Sequence, residues 1–271
     1  MPHRLDRPHR YFDVPRPTVI GHRGAAAEAP ENTLLAFERG VAAGAHILES
    51  DVHVTGDGIP VLSHDPSLER MTGSPVAIAD LTFVELGQLD AGLGFAGPTR
   101  STSEPAPPVR IPSLAEAFTA FPTERFNLEI KSDAAGLVER VTELIAEHDR
   151  AERTLLAAEN DALMERIRSE TRRRGVDVAI GASVGDVLAF VRAAVEGVAP
   201  ESEAMALQIP IDFAGRPLIT RELVEHAHAH GAVVHAWTIN ETDEMDRLVE
   251  LGVDGIVTDD PARMHAHFHG A

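Results

Sequence analysis

The chain contains no cysteine, one tryptophan and one tyrosine. Without cysteine, disulfide scaffolds, thiolate metal sites and cysteine nucleophiles are excluded. No apolar run reaches the ~18 residues that a membrane-spanning helix needs. Cationic side chains are scarce too: 24 Lys and Arg stand against 43 Asp and Glu, a net charge of −19 with histidine neutral. A field of that sign repels nucleic acid and anionic membrane surfaces, so an anionic ligand has to be held by a local cationic site. The opening residues, Met1 to Arg10, are polar and proline-bearing with no apolar signal core, and a cytoplasmic protein is expected.

What is present suffices for a full core. At 271 residues, 44% hydrophobic and 25% charged, the chain fits one barrel-sized domain or two small ones. From residue 18 onward short apolar runs alternate with amphipathic stretches. Thr18–His22, 47–55, 125–131, 154–158, 176–180, 204–209, 232–238 and 255–259 read as strands. Helices are expected between them, started by Asn32 or Thr33, by the capping box Ser113-Leu114-Ala115-Glu116, by Thr220 and by Pro261, and stopped by Gly44, Gly175, Gly231 and Gly252. Gly56-Asp57-Gly58 supplies a turn into residues 59–64. About eight strand–helix units imply a (β/α)8 TIM barrel, taken as one domain over residues 1–271. Residues 66–112, with Gly92, Gly94, Gly97 and Pro105-Ala106-Pro107-Pro108, break the rhythm and read as a short irregular insertion too small for a core of its own.

In such a barrel the ligand site lies at the C-terminal ends of the strands. On the segment Ile47 to Thr55, Glu49 and Asp51 point to the same face. Two carboxylates side by side on an apolar strand repel and are desolvated unless a cation lies between them; a solvated strand edge would carry the same pair. The neighbouring strand ends separate the two readings, because His22, Glu129, Lys131 and Trp237 fall at the same rim. Three carboxylates and no thiolate suit a hard divalent cation, Mg²⁺ or Ca²⁺, and Arg23 with Lys131 forms a clamp for a phosphate. The unperturbed imidazole pKa is near neutrality, so of His22 and His64 one could accept and the other donate a proton. Asp65 either orients a histidine or begins a turn at Pro66.

His22-Arg23-Gly24, Pro30-Glu31-Asn32-Thr33, Glu49-Ser50-Asp51-Val52, Gly56 to Val61, His64-Asp65, Leu128 to Lys131 and Ala236 to Asn240, in this order, resemble the glycerophosphodiester phosphodiesterases from about Val19 to Pro261. The resemblance implies a TIM barrel that hydrolyses glycerophosphodiesters such as glycerophosphocholine or glycerophosphoethanolamine to glycerol 3-phosphate and an alcohol. It implies that Glu49, Asp51 and Glu129 hold the metal, that His22 and His64 are acid and base, and that Arg23 and Lys131 contact the phosphate. The substrate's own 2-hydroxyl would attack phosphorus, and water would then open the cyclic phosphate. Trp237 would wall the glycerol carbons, against a core position as the alternative, and Gln208 would hydrogen-bond the ligand. Where many members carry Ser-Phe after strand four, this chain has Ala158-Glu159, which would put a negative charge near an anionic substrate.

Two competing functions remain: a lysophospholipase D-type or phosphoinositide-cleaving enzyme on the same barrel, and a non-catalytic barrel that binds phosphodiesters. The first needs an apolar entrance, for which ten Phe and one Trp are few. The histidine groups 226/228/230 and 265/267/269 are expected at the solvated surface, although His226 and His230 share a helical face that could clip a metal. Arg172-Arg173-Arg174 suits the end of a helix dipole.

Overall fold

Eight short strands run parallel, and their apolar side chains divide between two sides of one closed wall. The computed structural model describes residues 9–95 and 108–270; Gly97 and the prolines at 105–107, expected within the insertion, lie outside the described residues. The strands are β1 (Thr18–Gly21), β2 (Ile47–Val54), β3 (Pro60–Leu62), β4 (Arg125–Ile130), β5 (Thr154–Ala157), β6 (Ala179–Ile180), β7 (Ala206–Pro210), β8 (Asp212–Phe213), β9 (Arg216–Pro217), β10 (Val233–Trp237) and β11 (Gly255–Thr258). The ladder runs β6-β5-β4-β2-β1-β11-β10-β7, and a parallel bridge between Gly181 and Ala206 joins its two ends into a barrel. β3 folds back antiparallel on β2 through the expected Gly-Asp-Gly turn, and β8 and β9 form a separate rim hairpin that the sequence did not announce.

Helices α1 (Leu34–Ala42), α2 (Glu69–Thr72), α3 (Phe83–Leu86), α4 (Leu114–Ala120), α5 (Leu137–Glu147), α6 (Asp161–Arg174), α7 (Val184–Glu196), α8 (Arg221–Ala229), α9 (Thr242–Leu251) and α10 (Pro261–His269) follow in order. Their starts fall at residues the sequence marks: of Asn32 and Thr33 it is the Thr33 hydroxyl that accepts from Ala36 N–H, Ser113 and Glu116 close a capping box, and Pro261 opens α10, with Asp260, not marked beforehand, as its cap. Because side chains alternate along a strand, Leu48, Leu128 and Leu156 pack outward on helices while Ile47, Leu155 and Ala157 face the lumen. The stretch 176–180 narrows to the two residues of β6. The Asp177 carbonyl bonds the His9 ring instead of joining the ladder.

On one side the lumen is lined by small side chains, where Ala157, Ala179 and Ala206 leave room. The N-terminal segment fills it: Tyr11, in a 3₁₀ turn at Arg10–Phe12, enters the barrel from the end opposite the strand C-termini and is 0% exposed. The insertion is more regular than its composition suggests. Leu68, Met71, Ile78, Leu86 and Ile111 gather with Val61 of β3 into a small apolar cluster that holds α2 and α3 on the barrel.

Two stability tests follow from the lumen. Tyr11→Ala should lower unfolding free energy by about 3–5 kcal/mol. Tyr11→Phe should be close to neutral, because the hydroxyl has no hydrogen-bond partner among the described residues; urea midpoints distinguish the two. His235, 3% exposed in the lumen, is held down to about 4 by burial, with Arg16 adding to the shift and Asp254 opposing it. Folded His235 is neutral over a range where the unfolded chain binds a proton. Stability from this residue is therefore complete above pH ~6.5 and falls by roughly 3 kcal/mol as pH drops toward 4. Replacement His235→Leu should flatten that slope in unfolding curves taken between these pH values.

Candidate active site

All parallel strands end on one rim, so residues from distant parts of the chain meet there. Glu49 and Asp51 face the lumen from β2 and are 8% and 2% exposed. Asp51 lies in register with Glu129 of β4, which puts the third carboxylate on the adjacent strand. Lys131, just past β4, places Nζ 3.2 Å from Asp51 Oδ1 and 2.8 Å from Glu129 Oε2. Burial opposes the charge on Lys131, but the two carboxylates outweigh it and raise its pKa. Glu49 has the opposite fate: burial, then the Asp51 charge, pushes its carboxyl well above the ordinary range despite a hydrogen bond from Arg23 N–H at 2.9 Å.

The two loop motifs fasten this group. Gly24, at φ +95°, packs on the backbone of Ala36, where an added Cβ would come 2.5 Å from a carbonyl carbon. Arg23 itself adopts φ +49°, a left-handed conformation that turns its N–H to Glu49 while Nε lies 3.4 Å from Asp51 and Nη1 donates to Glu31 at 2.8 Å. Asn32 is fully buried, donates to Asp51 Oδ2 at 3.1 Å and accepts from Ser50 Oγ at 2.6 Å. Every residue of Pro30-Glu31-Asn32-Thr33 therefore makes a contact that the site uses. The Pro30 carbonyl accepts from Thr33 Oγ1, Glu31 takes Arg23, Asn32 takes Asp51, and Thr33 caps α1.

Both histidines reach the rim with a carboxylate behind them. His22 Nδ1 lies 2.6 Å from Asp259 Oδ1, and Asn240 Nδ2 donates to Asp259 Oδ2 at 2.7 Å. A carboxylate can only accept, so His22 carries its proton on Nδ1 and presents Nε2. Burial works against a charge on His22, but Asp259 and then Glu49 raise its pKa overall; Asp259, desolvated yet bonded by His22 and Asn240, is lowered. His64 follows β3, with Ser63 N–H bonded to the Asp51 carbonyl, and its Nδ1 lies 2.7 Å from Asp65 Oδ1. The choice left open for Asp65 is resolved: it holds the histidine. Asp259 and Asn240 were not singled out in the sequence. Asn240 stood within a matched motif, but nothing local marks Asp259 as a partner 237 positions from His22.

Trp237 is 44% exposed at the end of β10, on the rim and not in the core. Gln208 faces the lumen from β7 against Gly181, where an added Cβ would come 2.8 Å from its Oε1. Two cavities open beside Lys131. One, ≈ 450 Å³, is lined by Glu129, Lys131, Glu159 and Asp161, so Glu159 shares a cavity with two of the rim residues. The other, ≈ 560 Å³, runs from His64 past Pro66 and Ile78 to Leu163 and is largely apolar. Among the described residues no group of three or more His, Asp or Glu side chains already converges as a metal cage. The donor chemistry of Glu49, Asp51 and Glu129 nevertheless fits a hard cation. The three offer carboxylate oxygens, the ligands such an ion takes, and Asp51 and Glu129 lie in register on adjacent strands.

The C-terminal histidines differ from expectation. His265 and His269 are not simply solvated: their rings pack with His46 at 5.0–6.1 Å, at the barrel end away from the rim. Val19 N–H donates to His46 Nδ1, which leaves the His46 proton on Nε2 and no free lone pair for a metal; His269 Nε2 bonds the Pro17 carbonyl. The cluster pins α10 to β1. His267 pairs with Asp246 and His228 with Asp254, while His230 Nδ1 bonds the His226 carbonyl and the His226 and His230 rings pack at 4.3 Å. Arg172, Arg173 and Arg174 end α6 as expected and pair with Glu203, Glu170 and Glu143. Among the described residues no helix is long and apolar enough to cross a membrane.

A family model described as the glycerophosphoryl diester phosphodiesterase family matches residues 22–263. A glycerophosphodiester phosphodiesterase of Caldanaerobacter subterraneus subsp. tengcongensis is 33% identical over 250 residues, covering 90% of this chain and 94% of that protein. A human lysophospholipase D is 31% identical, over 92% of this chain and 85% of that protein. Among solved structures, a putative glycerophosphoryl diester phosphodiesterase of Silicibacter pomeroyi matches with a TM-score of 0.73 at 28% identity, covering 92% of each chain. An Oleispira antarctica phosphodiesterase, solved with the product sn-glycerol-3-phosphate, matches with a TM-score of 0.73 at 25% identity, covering 96% of this chain and 99% of the other. With barrel, rim and sequence in agreement over nearly its whole length, this chain belongs to the glycerophosphoryl diester phosphodiesterase family and is a phosphoric diester hydrolase.

Proposed function

We propose that the enzyme cleaves glycerophosphodiesters to glycerol 3-phosphate and an alcohol by acid–base catalysis with His22 and His64. The observation that carries this reading is the pair of imidazoles, each tied through Nδ1 to a carboxylate, on the rim that also holds Glu49, Asp51, Glu129, Arg23 and Lys131. The Nδ1 bonds leave both Nε2 atoms for proton transfer and stabilise the imidazolium that forms when either accepts a proton. One histidine takes the proton of the substrate's 2-hydroxyl as its oxygen bonds phosphorus, and the other protonates the departing alcohol. Their roles then reverse as water opens the cyclic phosphate. Arg23 and Lys131 would bind the phosphate oxygens, with Gln208 and the exposed Trp237 bounding the glycerol. Glu49, Asp51 and Glu129 would hold one divalent cation, Mg²⁺ or Ca²⁺. When bound, that ion lowers the barrier to removing the hydroxyl proton and offsets charge building on the phosphoryl oxygens.

A second reading keeps the chemistry and changes the substrate. The apolar cavity beside His64 supplies the entrance that the aromatic count argued against, and it does so with Pro66, Ile78 and Leu163. Together with the likeness to a lysophospholipase D, this favours lysophospholipid as an alternative substrate. Glycerol 3-phosphate release from glycerophosphocholine and glycerophosphoethanolamine, measured beside choline release from lysophosphatidylcholine, separates the readings. Activity on the lysophospholipid alone would overturn the first.

Chelation with EDTA should abolish turnover, and added Mg²⁺ or Ca²⁺ should restore it; indifference to chelation in metal-free enzyme would count against the carboxylate site. His22→Ala and His64→Ala should each lower kcat by roughly 10²–10⁴-fold without unfolding the protein. Asp259→Asn should lower kcat by up to roughly 10⁴-fold, because an amide no longer selects the Nδ1–H tautomer. Near wild-type turnover in that variant would break the assignment of Asp259 to His22.

A further inference from the structure

Resting on the reading that His64 and Arg23 act on the phosphate, we infer that Arg70, carried by the insertion, is a positioning residue that locks these two groups into one frame. Its guanidinium uses three nitrogens at once. Nη1 and Nη2 donate to Glu31 Oε2 and Oε1, each at 2.7 Å, and Nε donates to Asp65 Oδ2 at 2.6 Å. Glu31 Oε1 also accepts from Arg23 Nη1 at 2.8 Å, and Asp65 Oδ1 accepts from His64 Nδ1 at 2.7 Å. An unbroken line of hydrogen bonds therefore runs from His64 through Asp65, Arg70 and Glu31 to Arg23, whose N–H holds Glu49.

The charges along this line alternate, and Arg70 is its middle member. Without it, two carboxylates would face each other near the place where an anionic phosphodiester must bind, and neither would have a fixed direction. Glu31, though desolvated, stays in the ionised form because Arg70 first and Arg23 next outweigh burial; Asp65 is kept ionised by His64 and Arg70 in the same way. The Arg70 side chain is 48% exposed, and ion pairs that open to water add little to folding stability. The planar fork does fix direction, and direction matters most at a proton-transferring imidazole.

The insertion is built to deliver this side chain. Leu68 and Met71, flanking Arg70, are buried in the small apolar cluster, and Thr72 Oγ1 bonds the Leu68 carbonyl. Gly94 N–H bonds the Met71 carbonyl, and an added Cβ on Gly94 would come 2.0 Å from the Arg70 carbonyl oxygen, so the two backbones are in contact. The loop that interrupts the barrel rhythm thus supplies the cation that joins a motif after β1 to a motif after β3.

The test compares wild type, Arg70→Ala, Arg70→Lys and His64→Ala, with kcat and KM on glycerophosphocholine and thermal midpoints for each. Arg70→Ala should lower kcat by roughly 10–100-fold, while its thermal midpoint stays near that of wild type. Millimolar guanidinium should restore part of that loss in Arg70→Ala and nothing in His64→Ala. Arg70→Lys, a point charge without the fork, should stay closer to Arg70→Ala than to wild type. If His64→Ala is inactive while Arg70→Ala keeps kcat within twofold, or loses it without guanidinium rescue, the positioning role is wrong and the acid–base reading stands. If His64→Ala itself turns over normally, the acid–base reading has failed, and this role fails with it.

Discussion

Two like charges held out of water on one strand face set the terms for the rest of the molecule. Glu49 and Asp51 point into the lumen from β2, and Glu129 joins them from β4. Such a group is unfavourable unless donors and cations surround it. The surroundings supply them from four directions: the Arg23 N–H and guanidinium, the Asn32 amide and the Lys131 ammonium. None of these can be moved without loosening a carboxylate, which is why the loop after β1 takes up a left-handed arginine and a buried asparagine. Even so, the Glu49 carboxyl stays raised, first by burial and then by the Asp51 charge beside it.

The same arrangement explains the lumen below. A barrel whose upper layer is acidic needs a dry, filled lower layer if the carboxylates are to feel each other and their partners strongly. Small residues on β5, β6 and β7 would leave that layer open, and Tyr11 closes it from the opposite end. The N-terminal segment is therefore part of the barrel's interior, although it precedes the first strand.

The barrel and much of the rim were legible because their signals are local. Period-2 and period-3.6 patterns, caps such as Thr33 and Ser113, and helix-ending glycines depend only on neighbours in sequence, and Glu49 and Asp51 share a face by strand parity alone. What escaped depends on partners far apart. Asp259 looks like a turn residue before Pro261 until the closed barrel brings β11 beside β1. Arg70 sits in a stretch whose glycines and prolines mask a small apolar cluster, and the Tyr11 hydrophobic role requires knowing that small side chains leave part of the lumen open. The C-terminal histidines, spaced like surface residues, meet His46 only because α10 packs across β1. Aromatic content says nothing of the cavity beside His64, whose apolar lining is aliphatic.

The two histidine–carboxylate pairs differ in how they are anchored, and that difference follows from where each histidine leaves the barrel. His22 comes straight off β1, and its carboxylate comes off the adjacent β11, with Asn240 bonding both the Asp259 side chain and its N–H. That pair is fixed by the ladder itself. His64 leaves a short antiparallel strand that has no place in the ring, and its carboxylate is the next residue in sequence, which cannot orient it against anything but the chain that carries both. An external reference is required, and the insertion provides one through Arg70 and Glu31. A barrel that takes one rim histidine from outside its strands must also take the means of aiming it, so the hairpin, the insertion and the loop after β1 form one hydrogen-bonded unit despite their separation in sequence.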